Sequence, residues 1–173
     1  MKKNIVIICL FIFLVSCGSG KSFKSFFNNH KNDLGATAFQ VPNFMMSLVK
    51  NISPEINDVF GNVQDFKFIT FDKISATKKA QLINDINLVT GNNFTDILRS
   101  NTVEKTKIVS VKEVGDVVTQ AIIFNSTIKN TSVFYLKGRF DPNKIKELSE
   151  TNQFENLSSK LIKNYNTPKF NQN

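Results

Sequence analysis

The stretch from Lys105 to Phe140 constrains the fold more than any other part of this 173-residue chain. It holds three strand-like runs, Lys105 to Lys112, Val117 to Ser126 and Ser132 to Phe140. Gly115-Asp116 marks a tight turn between the first two, and Lys129-Asn130 falls in the second connection. Strands joined this closely pair antiparallel, because a parallel pair needs a crossover of a dozen or more residues. In the last run Phe134, Leu136 and Phe140 share one face while Tyr135, Lys137 and Arg139 share the other, the pattern of a strand with one wet side. The middle run is apolar on both parities, with Ala121 and Ile123 against Ile122 and Phe124, which makes it central.

The remaining elements follow from period and punctuation. Ser22 to Lys31 reads as an amphipathic helix carrying Phe23, Phe26 and Phe27. Gly35 opens a strand from Ala36 to Val41, which Pro42 ends; Asn43 is placed to cap a helix through Phe44, Met45, Leu48 and Val49. After a loop at Ser53-Pro54 and a turn at Glu55 to Phe60, Val63 to Phe71 reads as a strand. Ser75 is an N-cap, Leu82, Ile83, Ile86 and Val89 form a stripe, and Gly91 stands where a C-cap belongs. Phe94, Ile97 and Leu98 are expected to add a short helical segment. Asp141-Pro142 starts a helix through Ile145 and Leu148, and Phe154, Leu157 and Leu161 continue its spacing. The order predicts an α+β fold: one domain over residues 23–165, with an antiparallel-dominated sheet of four to five strands and helices packed on one face. Residues 166–173 form a frayed tail.

The first residues set an address. Lys2 and Lys3 precede an apolar run from Ile5 to Val15, too short for a spanning helix of roughly 20 residues and suited to a signal-peptide core. Leu14-Val15-Ser16-Cys17 looks like the lipobox of bacterial lipoproteins, where the Cys thiol takes a diacylglyceryl group and the chain is cut just before it. Residues 1–16 are thus expected to be a signal peptide and 17–22 the lipidated Cys and its tether. One acyl chain such as palmitate binds a membrane marginally, whereas two anchor it stably. Cys9 leaves with the signal and Cys17 is blocked by lipid, so neither a disulfide nor a cysteine metal cluster can form. The core must stand on packing. The expected location is the cell envelope, at the outer membrane facing the periplasm, since no acidic run follows Cys17.

Charge and motifs exclude more than they assign. The net charge of +8 includes Lys2 and Lys3, and the other lysines (Lys21, Lys24, Lys50, Lys78, Lys79, Lys105, Lys107 and Lys160 among them) are scattered, as on a solvated surface. A nucleic-acid footprint is not expected. Gly18-Ser19-Gly20-Lys21-Ser22 resembles the end of a P-loop, but Val15 stands where its first glycine belongs, so it reads as tether and no nucleotide is expected. His30 is the only histidine, and its place at a helix end beside Lys31 and Asp33 suits the helix dipole. There is neither a Gly-x-Ser-x-Gly elbow nor a His-Glu-x-x-His pair, and no metal or cofactor is expected. Asp58, Asp65, Asp72, Glu113 and Asp116 fall near turns and could form a catalytic pair only by converging in space. The seventeen phenylalanines read as core. Phe44, Met45 and Met46 are the cluster suited to an apolar partner surface, because Met adapts to irregular shapes. Asn-x-Ser/Thr triplets at Asn51, Asn93, Asn125, Asn130 and Asn156 follow from abundant Asn.

From Lys21 to about Tyr165 the chain resembles the domain of unknown function 4252 family of bacterial envelope lipoproteins. The resemblance rests on the lipobox and Phe-rich helix, the strand leading into Phe44-Met45-Met46, the Phe66 to Phe71 strand, and Phe134-Tyr135-Leu136-Lys137-Gly138 before Asp141-Pro142. It implies an envelope lipoprotein with no assigned activity and supplies no catalytic residues. The function expected is a non-enzymatic binding or assembly module, anchored through Cys17, that meets an envelope protein or an apolar ligand. The alternatives are an envelope hydrolase using paired carboxylates and an envelope-stress signalling accessory.

Overall fold

The computed structural model describes residues 21–42, 46, 62–91 and 93–166, with residues 165 and 166 described by their backbone alone. Its first element is helix α1, Phe23–His30, whose Ser22 cap accepts the Ser25 amide at 3.2 Å. Strands β1, Ala36–Val41, and β2, Val63–Asp72, follow, then helix α2, Ala76–Thr90. Four consecutive strands come next: β3, Thr95–Asn101; β4, Thr106–Val114; β5, Val117–Ser126; and β6, Asn130–Phe140. Helices α3, Pro142–Glu150, and α4, Gln153–Asn166, complete the described chain. The caps behave as their chemistry dictates. Ser75 Oγ accepts the Lys78 amide at 3.1 Å, Gly91 is the C-cap of α2, and Asp141 Oδ1 accepts the Asn143 amide at 2.8 Å with Pro142 at the first position of α3.

The strands form one antiparallel sheet in the order β1-β2-β6-β5-β4-β3. The α+β class holds, with two corrections. The sheet has six strands, because Thr95–Asn101 is a strand and not a helical segment. A bulge between Asp96 and Leu98 breaks the alternation there, and Ile97 and Leu98 both pack on the same core. Adjacent apolar residues therefore mimic helical spacing within an edge strand.

The second correction concerns layers, since helices cover both faces of the sheet. On one face Ile69 and Phe71, Ile108, Ile122 and Phe124, and Val133 meet Phe23, Phe26 and Phe27 of α1 and Leu82, Ile86 and Val89 of α2. On the other, Phe66, Phe68, Val109, Val111, Ile123, Phe134 and Leu136 meet Ile145 and Leu148 of α3 and Phe154, Leu157 and Leu161 of α4. Apolar residues on both parities of β2, β4 and β5 require that double cover, since each face would otherwise leave a broad apolar surface in water. The helical run after Asp141 also breaks at Asn152, which adopts φ 57° between α3 and α4. Asn tolerates that left-handed conformation better than most residues.

Candidate functional site

The face under α1 and α2 changes character along the strands. One cross-strand row, Ile69–Val133–Phe124–Ile108, is apolar and buried. One pleat period further on lies Lys67–Tyr135–Ile122–Ser110, and after it Asp65–Lys137–Gln120–Lys112. Lys67 and Tyr135 of the first of these last two rows and all four residues of the second form the floor of an open cleft of about 800 Å³. Lys21 and Lys24 at the start of α1 and Val89, Gly91 and Phe94 at the end of α2 form its rim. Five lysines and one aspartate line the cleft.

The aromatic floor is ordered by stacking and hydrogen bonding. Phe23 stacks on Tyr135 with ring centroids 4.7 Å apart, and Lys67 Nζ lies 5.8 Å from the Tyr135 centroid while pairing with Asp65 at 2.5 Å. Tyr135 donates its hydroxyl to Gln120 Oε1 at 3.2 Å. Burial, and then the Asp65 charge, push the Tyr135 hydroxyl above its usual pKa, so it stays a neutral donor. Lys21 pairs with Asp85 at 3.2 Å. Lys24, Lys112 and Lys137 form no ion pair among the described residues, which leaves the cleft with surplus positive charge.

A second cluster holds the rim in place. His30 is only 5% exposed, its ring 4.6 Å from that of Phe26, so it is a buried side chain and not simply the end of a surface helix. Its Nδ1 lies 2.7 Å from Asp33 and its Nε2 3.2 Å from Asp85. Lys78 Nζ also lies 3.4 Å from Nδ1. Lys78 pairs with Asp33 at 2.6 Å. Burial raises the Asp33 pKa, but the hydrogen bonds and charges of Lys78 and His30 outweigh it and hold the carboxyl below its usual value. This network fastens α1 to α2 and so fixes Phe23, Lys21 and Lys24 over the floor.

The other residues singled out by sequence are dispersed. Asp65 and Asp72 sit near opposite ends of β2, and Glu113 and Asp116 flank the β4–β5 turn, exposed. Among the described residues no group of His, Cys, Asp and Glu is arranged to hold a metal ion. Met46 is buried against the α3/α4 core; Cys17, Phe44, Met45 and Asp58 lie outside the described residues. Lys107 departs from the solvated-surface reading. It is buried, bonded to the Ser149 carbonyl, and burial lowers its pKa. Asn125 is also buried, donating to Glu155 at 2.6 Å. Sequence reasoning missed the cleft because its lysines are far apart in the chain; the available signal was the wet parity of Tyr135 and Lys137.

Among the described residues no helix is long and apolar enough to cross a membrane. No curated protein matches the chain, and no solved structure does. A family model described as a domain of unknown function (DUF4252) matches residues 28–148. That span runs from within α1 to within α3 and contains all six strands, with the floor of the cleft among them. The chain therefore belongs to the DUF4252 family.

Proposed function

We propose that this protein is a lipid-anchored component of the bacterial cell envelope that acts by binding and not by catalysis, with the lysine-lined cleft as its binding face for an anionic ligand. The anchor is the thiol of Cys17, and the side reached is the periplasmic face of the outer membrane. The observation that carries the binding reading is the convergence of Lys24, Lys112 and Lys137, unpaired among the described residues, on one open cleft. Clefts lined by one sign of charge on low-dielectric walls concentrate counter-ions and steer them inward. Phe94 and Tyr135, both only partly buried, add apolar surface to the cleft, so a ligand with anionic groups on a carbon framework suits the site better than a bare ion. The Gln120 amide, whose oxygen accepts the Tyr135 hydroxyl, has its N–H group as a donor at the floor.

Two measurements test this reading. Inorganic polyphosphate titrated against the protein should bind at low salt and lose affinity as salt is raised. Lys112→Glu with Lys137→Glu should weaken that binding at least tenfold; unchanged binding removes the cleft as the site. Cys17→Ser should move the protein from membranes to the soluble fraction, and retention in membranes ends the anchor reading.

A further inference from the structure

Resting on that anion-binding reading, we infer that the cleft's occupant is the anionic headgroup layer of the same membrane that carries the anchor, so that the domain lies down on the bilayer through this face. Reach is the first argument. Lys21 stands four positions after Cys17, and an extended chain covers at most about 3.6 Å per residue, so a lipidated Cys17 holds Lys21 within about 14 Å of the bilayer surface. Lys21 and Lys24 form the rim of the cleft itself. The short tether therefore starts at the basic opening and brings it against the headgroups, where a soluble ligand would compete with a phosphate-bearing surface already at hand.

Charge complementarity is the second argument. Lys24, Lys112 and Lys137 point to one opening from α1, β4 and β6, and none forms an ion pair among the described residues. Lysine stems spread over apolar surface while their ammonium groups reach a polar layer, and aromatic residues with one polar end favour membrane interfaces. Tyr135 is such a residue, and it lines the cleft together with the partly buried Phe94. Each lysine near an anionic surface strengthens binding by roughly fivefold, so three together give roughly a hundredfold, enough to hold an anchored domain in one orientation.

The test uses the full chain, with its anchor, in vesicles of phosphatidylcholine alone and of phosphatidylcholine mixed with phosphatidylglycerol. Lysine reactivity toward an amine-acylating reagent is read residue by residue by mass spectrometry. The expected result is several-fold protection of Lys24, Lys112 and Lys137 in the anionic vesicles only, reversed by salt, with Lys146 of α3 unchanged as the control on the opposite face. Equal reactivity in the two vesicle types overturns the inference. A third arm adds inorganic polyphosphate to the phosphatidylcholine vesicles. Protection by polyphosphate but not by phosphatidylglycerol overturns membrane docking and leaves anion binding standing; protection by neither overturns both.

Discussion

Gly138 shows how little room one position can leave. A Cβ there would stand 2.1 Å from the Asn62 carbonyl oxygen and 2.7 Å from the Phe140 ring. The opposed atom is backbone, so the start of β2 would have to move. Gly138→Ala should cost about 1–3 kcal/mol, as overpacking does, read as a fall in the denaturant midpoint with an unchanged slope. Asp33 makes a different point. Its carboxyl is held below the ordinary aspartate pKa of 3.8, so its charge adds stability above that value, lost as pH falls through the lower folded value. Asp33→Asn should therefore cost about 1–2 kcal/mol near neutral pH and flatten the loss of stability in acid, measured by thermal unfolding across pH. The His30–Asp33 contact is legible from a spacing of three residues. The Asp85 contact is not, because it spans 55 residues and depends on how α1 lies against α2.

Caps and turns carry most of the legible information about elements. Ser22, Ser75, Gly91 and Asp141 end or begin helices where their chemistry allows, and Gly115 turns the β4–β5 hairpin at φ 61°. Asp141→Ala should lower stability by about 1 kcal/mol through the lost cap, visible as a matching shift in the unfolding midpoint. Two elements were hidden for opposite reasons. In β3 a bulge aligns consecutive apolar residues, so the period of two is lost within a short edge strand. Between α3 and α4 the apolar spacing continues across a break, and the one local clue is Asn152 in a left-handed conformation. Period locates a buried face; it does not report whether the backbone is continuous beneath it.

At the scale of the molecule, the sheet carries two cores, and its basic cleft lies where the cover on one face stops short. Strand parity in β6 already separated Lys137 from Leu136, and the apolar β5 already marked a central strand, but the helical cover on both faces emerges only from the packing. The joining of Lys67, Lys112 and Lys137 needed the register of four strands, which no single segment contains. Because these side chains meet at an open cleft and not in a core, Lys112→Glu with Lys137→Glu should change unfolding by no more than about 0.5 kcal/mol. Calorimetry run beside the polyphosphate titration separates that loss of binding from loss of fold. The bulged edge at β3 has a consequence for crowding. Its exposed side is Thr95, Asp96, Arg99, Ser100 and Asn101, polar and irregular, with Arg99 paired to Asp96 at 2.6 Å. Copies tethered in a bilayer as proposed collide in two dimensions, where a flat open edge would invite one sheet to extend into the next. The kink and its charges deny a neighbour that register, so neighbouring copies can crowd on the surface without zipping together along this edge.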